Sequence, residues 1–179
     1  GYAVEALARA GVGNIAILDN DNLHSSNINR QILATADTIG RKKVDVAKER
    51  ILSINPECNV TTFDMFYLPE NADKLPLDGY DFIIDAIDTV ESKVALYQWA
   101  HAHNIPLVTS MGAASKTDPT MIKIAPLSRT SVCPLASRVR RLVRDLDLPD
   151  IPVVYSSESP QPVTGHAKNL GSVITVTGC

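Results

Sequence analysis

The sequence predicts an α/β fold: a doubly wound, mostly parallel sheet with helices on both faces. Short apolar runs alternate with helical patterns from residue 1 to about residue 110. Two of the runs end in acids, 15–18 at Asp19 and 82–84 at Asp85 and Asp88, and in such folds ligands sit outside the carboxyl ends of the strands. The 179 residues are enough for one domain with a real core. The arrangement is Rossmann-like.

Each element has its own signal. Residues 1–10 read as a helix that Gly11 and Gly13 close. Residues 15–18 form a continuous apolar run, the mark of a buried strand. Over 41–54, Val44, Ala47, Ile51 and Ile54 lie along one helical stripe, and Asn55-Pro56 ends it. A strand is expected at 60–63, and loop or short helix over 65–79. A second buried strand follows at 82–84, a helix at 90–103 and a third strand at 107–109. Beyond about residue 110 the rhythm weakens, with strands expected at 121–125, 153–155 and 172–176. Residues 134–147 read as a helix with four arginines, and 156–171 as a polar, flexible loop.

Composition removes several classes. A net charge of −3 and a pI near 5.8 give no global field for polyanions, and DNA is not expected as a partner, although a local basic patch is compatible with both values. No apolar run approaches a membrane span, no signal peptide is visible, and the three scattered cysteines make a reducing cytoplasm the expected setting. Cys58, Cys133 and Cys179 are far apart with no Cys-x-x-Cys pair, which argues against a zinc or disulfide framework.

The candidate site begins at Asp19. An acid at a strand end accepts both hydroxyls of a ribose, and in dinucleotide-binding units it follows a glycine turn by about twenty residues. Gly1 lies 18 residues before Asp19, so a phosphate-cradling glycine loop is expected at or just before Gly1, mostly outside these residues. Asp21 follows in the same loop. Ser26 and Asn27 then offer short polar groups, and Arg30 a planar fork suited to phosphate, with Asn29 and Gln31 placed to orient Arg30 or to touch phosphate themselves. Lys43 falls in the first turn of the next helix, crowded by Arg41 and Lys42. Cations oppose the helix dipole there unless an anion is near. Each feature alone also fits a solvated loop or turn. Together they point to ATP. Asp85 or Asp88 can hold Mg²⁺ against the triphosphate, while Asp88 with Glu91 also fits a capping box, and spacing does not separate the two roles. Lys93 can pair with either acid, although most lysines in such a helix are solvated.

The stretches LDNDNLHSSNINRQ (18–31), GRKKV (40–44) and DAIDTVESK (85–93) resemble the ThiF/MoeB/HesA group, the ubiquitin-activating-enzyme-like adenylating superfamily. The resemblance implies a single adenylating domain over 1–179 that lacks its N-terminal glycine loop and its C-terminal end. It implies that a substrate oxygen attacks the α-phosphate of ATP and pyrophosphate leaves. Asp19 would hold the ribose, and Ser26, Asn27 and Arg30 the phosphates, with Arg30 reaching into the partner subunit's site in a homodimer. Lys43 would stabilise charge at the α-phosphate, and Asp88 would position Mg²⁺. The segments 1–11, 105–113, 118–120, 130–136 and 153–160 look most similar to the branch that cyclises threonylcarbamoyladenosine in tRNA. That branch implies tRNA as substrate and a sulfur-transfer partner protein. Relatives that adenylate ubiquitin-like sulfur carriers commonly hold zinc with two Cys-x-x-Cys pairs, which are absent here.

Other features stay open. Arg138, Arg140, Arg141 and Arg144 suit phosphate contact with tRNA or a solvated helix face. Cys133 reads chiefly as a small packing residue and secondarily as a nucleophile, and Cys58 as structural. His24, His101, His103 and His166 have no metal spacing. The competing functions are adenylation of a ubiquitin-like carrier's C-terminus and a non-catalytic nucleotide-binding protein.

Overall fold

The computed structural model describes residues 1–160, which fall into two compact units, Gly1–Phe66 and Tyr67–Pro162, with the latter described to residue 160. The expected strand at 172–176, most of the loop at 156–171, His166 and Cys179 lie outside the described residues.

In the first unit, α1 spans Tyr2–Arg9. Gly11 at φ 80° ends it, with Gly11 N–H donating to Ala8 and Val12 N–H to Leu7. This reversal needs a left-handed residue, which glycine adopts without steric cost. Strand β1, Asn14–Leu18, pairs in parallel with β2, Asn59–Phe63, in register Ile15 to Val60. Helix α2, Lys43–Ile54, makes the crossover between them and buries Val44, Ala47 and Ile51. Ala8, Ile15, Ile51, Cys58 and Val60 form the core of this unit. Cys58 is thus a packing residue, as expected.

The second unit holds four strands in the order β3-β4-β6-β5: Ile83–Asp85, Leu107–Ser110, Pro152–Ser156 and Ile122–Pro126. The first three run parallel, and β5 is antiparallel to β6. Helix α3, Val90–Ala102, links β3 to β4, and α4, Pro134–Val143, precedes β6. Two short 3-10 helices fill the stretch predicted as loop or short helix.

Four expectations need correction. Helix α2 starts at Lys43, because Asn22 and Lys42 bridge antiparallel and hold Lys42 in extended chain. The strand at 82–84 is not buried: Phe82 and Ile84 are exposed at the edge of the sheet, and Asp85 is the buried residue of β3. Helix α4 stops at Val143 rather than Asp147. The Asp88–Glu91 capping box is not made: Thr89 is the N-cap of α3 and has no side-chain cap bond.

Candidate functional site

The first unit brings Asp19, Asp21 and Lys43 together. Asp19 follows β1, and its N–H donates to Phe63 O of the neighbouring strand. Its Oδ1 accepts the N–H of Asp21 at 2.9 Å, so the two acids share one tight turn. The loop from Asp21 to Lys43 is closed at its base by backbone. Leu23 N–H donates to Arg41 O, Gly40 N–H to Leu23 O, and Lys43 N–H to Asp21 O at 3.0 Å. Gly40 makes this closure at φ 88°.

That closure puts the Lys43 ammonium between the carboxylates. Its Nζ lies 2.6 Å from Asp21 Oδ2 and 3.6 Å from Asp19 Oδ2. The Lys43 side chain is 17 % exposed and that of Asp21 55 %, so the trio is half sheltered and open on one side. Lys43 is also the first residue of α2, where the helix dipole disfavours a cation, and the two acids offset that cost. Lys42, beside it, points elsewhere and pairs with Asp64 at 3.1 Å. Arg41 pairs with Glu49 further along α2.

The remaining loop residues divide. Ser25–Asn27 form one 3-10 turn. Asn27 is buried there, and its Oδ1 accepts the backbone N–H of His24 at 3.0 Å, so its side chain holds the loop. Ser26 and His24 are exposed. The Arg30 guanidinium donates to Ser26 O and to Asn29 Oδ1, both at 2.8 Å. Asn29 therefore orients Arg30, one of the two roles its position allows. Gln31, half-buried, has its backbone tied to Asn27 O.

Asp85 and Asp88 belong to the second unit. Asp88 is exposed in the turn between β3 and α3. Asp85 is fully buried, and Lys93, expected to be solvated, is fully buried with it, Nζ to Oδ2 at 2.8 Å. Desolvation pushes the Lys93 ammonium below its ordinary pKa, and Asp85 opposes that shift. Asp85 is thereby committed to an internal pair, which leaves Asp88 as the acid able to meet a solvated ion. Stranding either partner of such a buried pair costs about 3–5 kcal/mol.

Lys93 could have been found in the sequence. It lies three residues after Val90 and four before Tyr97, both buried, and so on the core stripe of α3. Two further buried charges, Lys116 and Glu158, were also missed, each held by backbone groups. Lys116 Nζ donates to Ser156 O at 2.6 Å, and Glu158 accepts the N–H groups of Thr117 and Asp118. Among the described residues, no group of three or more His, Cys, Asp or Glu side chains could hold a metal ion. A lone exposed carboxylate such as Asp88 fits Mg²⁺ carried mainly by substrate phosphates, the usual mode for that ion.

Arg138 and Arg141 on α4 and Arg144 just past its end are exposed, whereas Arg140 donates to Thr130 O and Oγ1. Cys133 is buried as the N-cap of the helix, its sulfur accepting from Ala136 N–H at 3.5 Å, a packing and capping role.

An acidic strand end, a guanidinium on a polar loop and a lysine at a helix start suit a nucleotide. The chain belongs to the ThiF family, whose model matches residues 1–179. It is 44 % identical over 160 residues to the tRNA threonylcarbamoyladenosine dehydratase of Bacillus subtilis, covering 89 % of this chain and 63 % of that protein. The Escherichia coli protein of the same name is 43 % identical over 157 residues, covering 88 % and 57 %. The chain therefore spans about three-fifths of the length of these relatives. The crystal structure of the E. coli enzyme, TcdA, in complex with ATP matches with a TM-score of 0.84 at 41 % identity, covering 89 % of this chain and 69 % of that one. A Drosophila sechellia adenylyltransferase and sulfurtransferase is 34 % identical over 116 residues, covering 65 % and 25 %.

Proposed function

We propose that this protein is an ATP-dependent tRNA threonylcarbamoyladenosine dehydratase, with residues 1–179 as part of one ThiF-type adenylating domain. The observation that carries the reading is Lys43 held between Asp19 and Asp21 at the carboxyl end of β1. The identity to dehydratases and the structural likeness to TcdA with ATP support it.

In this reading Asp19 accepts the ribose hydroxyls through Oδ2, because its Oδ1 is occupied by Asp21 N–H. Lys43 exchanges its carboxylate partners for phosphate oxygens, so its charge is available where the α-phosphate gains negative charge. Arg30, aimed by Asn29, supplies a second cation from the loop, and in a homodimer it serves the partner's site. Ser26 and Gln31 line that loop. Asp88 would hold Mg²⁺, which when bound neutralises the triphosphate and orients it. No protein nucleophile is required. A carboxylate oxygen of the threonylcarbamoyl group attacks the α-phosphorus, and the bond to pyrophosphate breaks. A ureido nitrogen then attacks the activated carbonyl, the bond to AMP breaks, and a ring closes. The nucleoside loses one water, whose oxygen leaves in AMP. The lysine and arginine act electrostatically, in a site whose donors are already in place.

The exposed arginines of α4 would take tRNA phosphates. A sulfur-transfer protein remains a proposed partner, and the cytoplasm the proposed setting. Among the described residues no helix is long and apolar enough to cross a membrane.

The test incubates full-length protein with ATP, Mg²⁺ and tRNA bearing threonylcarbamoyladenosine, then reads the nucleoside by mass spectrometry. ATP-dependent loss of one water is expected. An unchanged nucleoside, with pyrophosphate exchange appearing only when a ubiquitin-like carrier is added, would move the protein to the carrier-activating class. ATP binding without either reaction would make it a non-catalytic nucleotide binder.

A further inference from the structure

The buried cluster under β3 and β4 is built as a mount for the turn that carries Asp88. Lys93 uses all three ammonium protons, donating to Asp85 Oδ2 at 2.8 Å, Thr109 Oγ1 at 2.9 Å and Ser110 O at 3.0 Å. Thr109 spends its own proton on Asp85 Oδ2 at 2.6 Å, and Tyr97 donates to Thr109 Oγ1 at 2.9 Å. Asp85, Lys93 and Thr109 are at most 1 % exposed. These hydrogen bonds interlock, so the arrangement has little rotational freedom.

The other oxygen of the same carboxylate reaches out of the cluster. Asp85 Oδ1 accepts the backbone N–H of Ile87 at 2.9 Å, closing a side-chain turn directly before Asp88. From the other side, Lys93 N–H donates to Thr89 O at 3.1 Å, fixing the first turn of α3 directly after Asp88. Asp88 is thus exposed, but the backbone directly before it is tied to the buried Asp85 carboxylate, which Lys93 and Thr109 hold from within. Stability alone does not account for the pair, since well-packed apolar residues in its place are often as stable or more so.

We infer that Lys93 and Thr109 are positioning residues that act through Asp85 to fix the turn that carries Asp88. This rests on the ATP reading above, in which Asp88 meets the triphosphate's Mg²⁺ and AMP makes no such contact.

The test is calorimetric titration of full-length wild type, Lys93→Met and Thr109→Val with AMP and with ATP in Mg²⁺. Loss of an aimed carboxylate is expected to raise the Kd for Mg²⁺-ATP by about tenfold in Lys93→Met and about threefold in Thr109→Val. The Kd for AMP should stay within about twofold in both, which also shows that the pocket is folded. With Mg²⁺ chelated, the gap between variants and wild type for ATP should close. If Lys93→Met does not fold, Thr109→Val decides alone. Equal weakening toward AMP and Mg²⁺-ATP, or no weakening toward either in a folded variant, would overturn the inference. Wild type that binds neither nucleotide would overturn the ATP reading itself, and this inference with it.

Discussion

Lys43 and Lys42 are neighbours with the same side chain and different fates. Lys43 is drawn into the turn made by Asp19 and Asp21, while Lys42 faces Asp64. The contrast gives a paired prediction. Lys43→Ala should lower kcat roughly a hundred- to a thousandfold, the usual cost of one preorganised electrostatic group. Lys42→Ala, which removes a half-exposed surface pair worth at most about 1 kcal/mol, should keep kcat within about twofold. Steady-state turnover of both variants checks it, and equal effects would reject the special placement of Lys43. Asp19, Arg30 and Lys43 could be singled out in the sequence as candidates for ribose and phosphate contact because their types and order are chemically informative. The Asp21–Lys43 ion pair was not, because it depends on a backbone closure 22 residues apart in sequence. Asn27 shows the same gap. Its amide is as suitable for phosphate as for its own turn, and only the fold reveals that it is buried in the turn.

At the scale of elements, helices and strands were readable from periodicity, and their ends were less so. Helix α2 starts late because a bridge between Asn22 and Lys42 competes for the chain, a tertiary effect that no local pattern carries. Helices α1 and α2 also share an ion cluster that lies beyond any short window. The Arg50 guanidinium donates to both oxygens of Glu5, at 3.0 and 2.9 Å, and Arg9 adds 3.0 and 2.8 Å bonds from one turn further along α1. Arg50 first, and then Arg9, hold the Glu5 carboxyl down from 4.5 to about 2. A carboxylate lowered in the folded state contributes fully above its unfolded pKa, and that contribution is lost as protons bind it in the folded state. Glu5→Gln should therefore lower the thermal midpoint by a constant amount at neutral pH. The gap to wild type should shrink as pH falls from 4.5 toward 2. A gap that stays constant through that window in thermal melts would contradict the clamp.

For the whole molecule, the alternation of strand and helix was enough to read an α/β class with parallel pairing, and both β1–β2 and β3–β4–β6 follow it. The antiparallel β5 was not legible, because a strand's direction is set by its partner and not by its own residues. Physics alone leaves open the identity of the oxygen that meets the α-phosphate, and the likeness to known dehydratases supports one choice. We propose that this oxygen belongs to the carboxylate of threonylcarbamoyladenosine. The direct measurement supplies the protein with ATP, Mg²⁺ and tRNA whose threonylcarbamoyl carboxylate carries heavy oxygen, and weighs the AMP released. Adenylation of that carboxylate predicts one heavy oxygen in AMP for each ring closed. AMP of ordinary mass, with the nucleoside nonetheless cyclised, would contradict it.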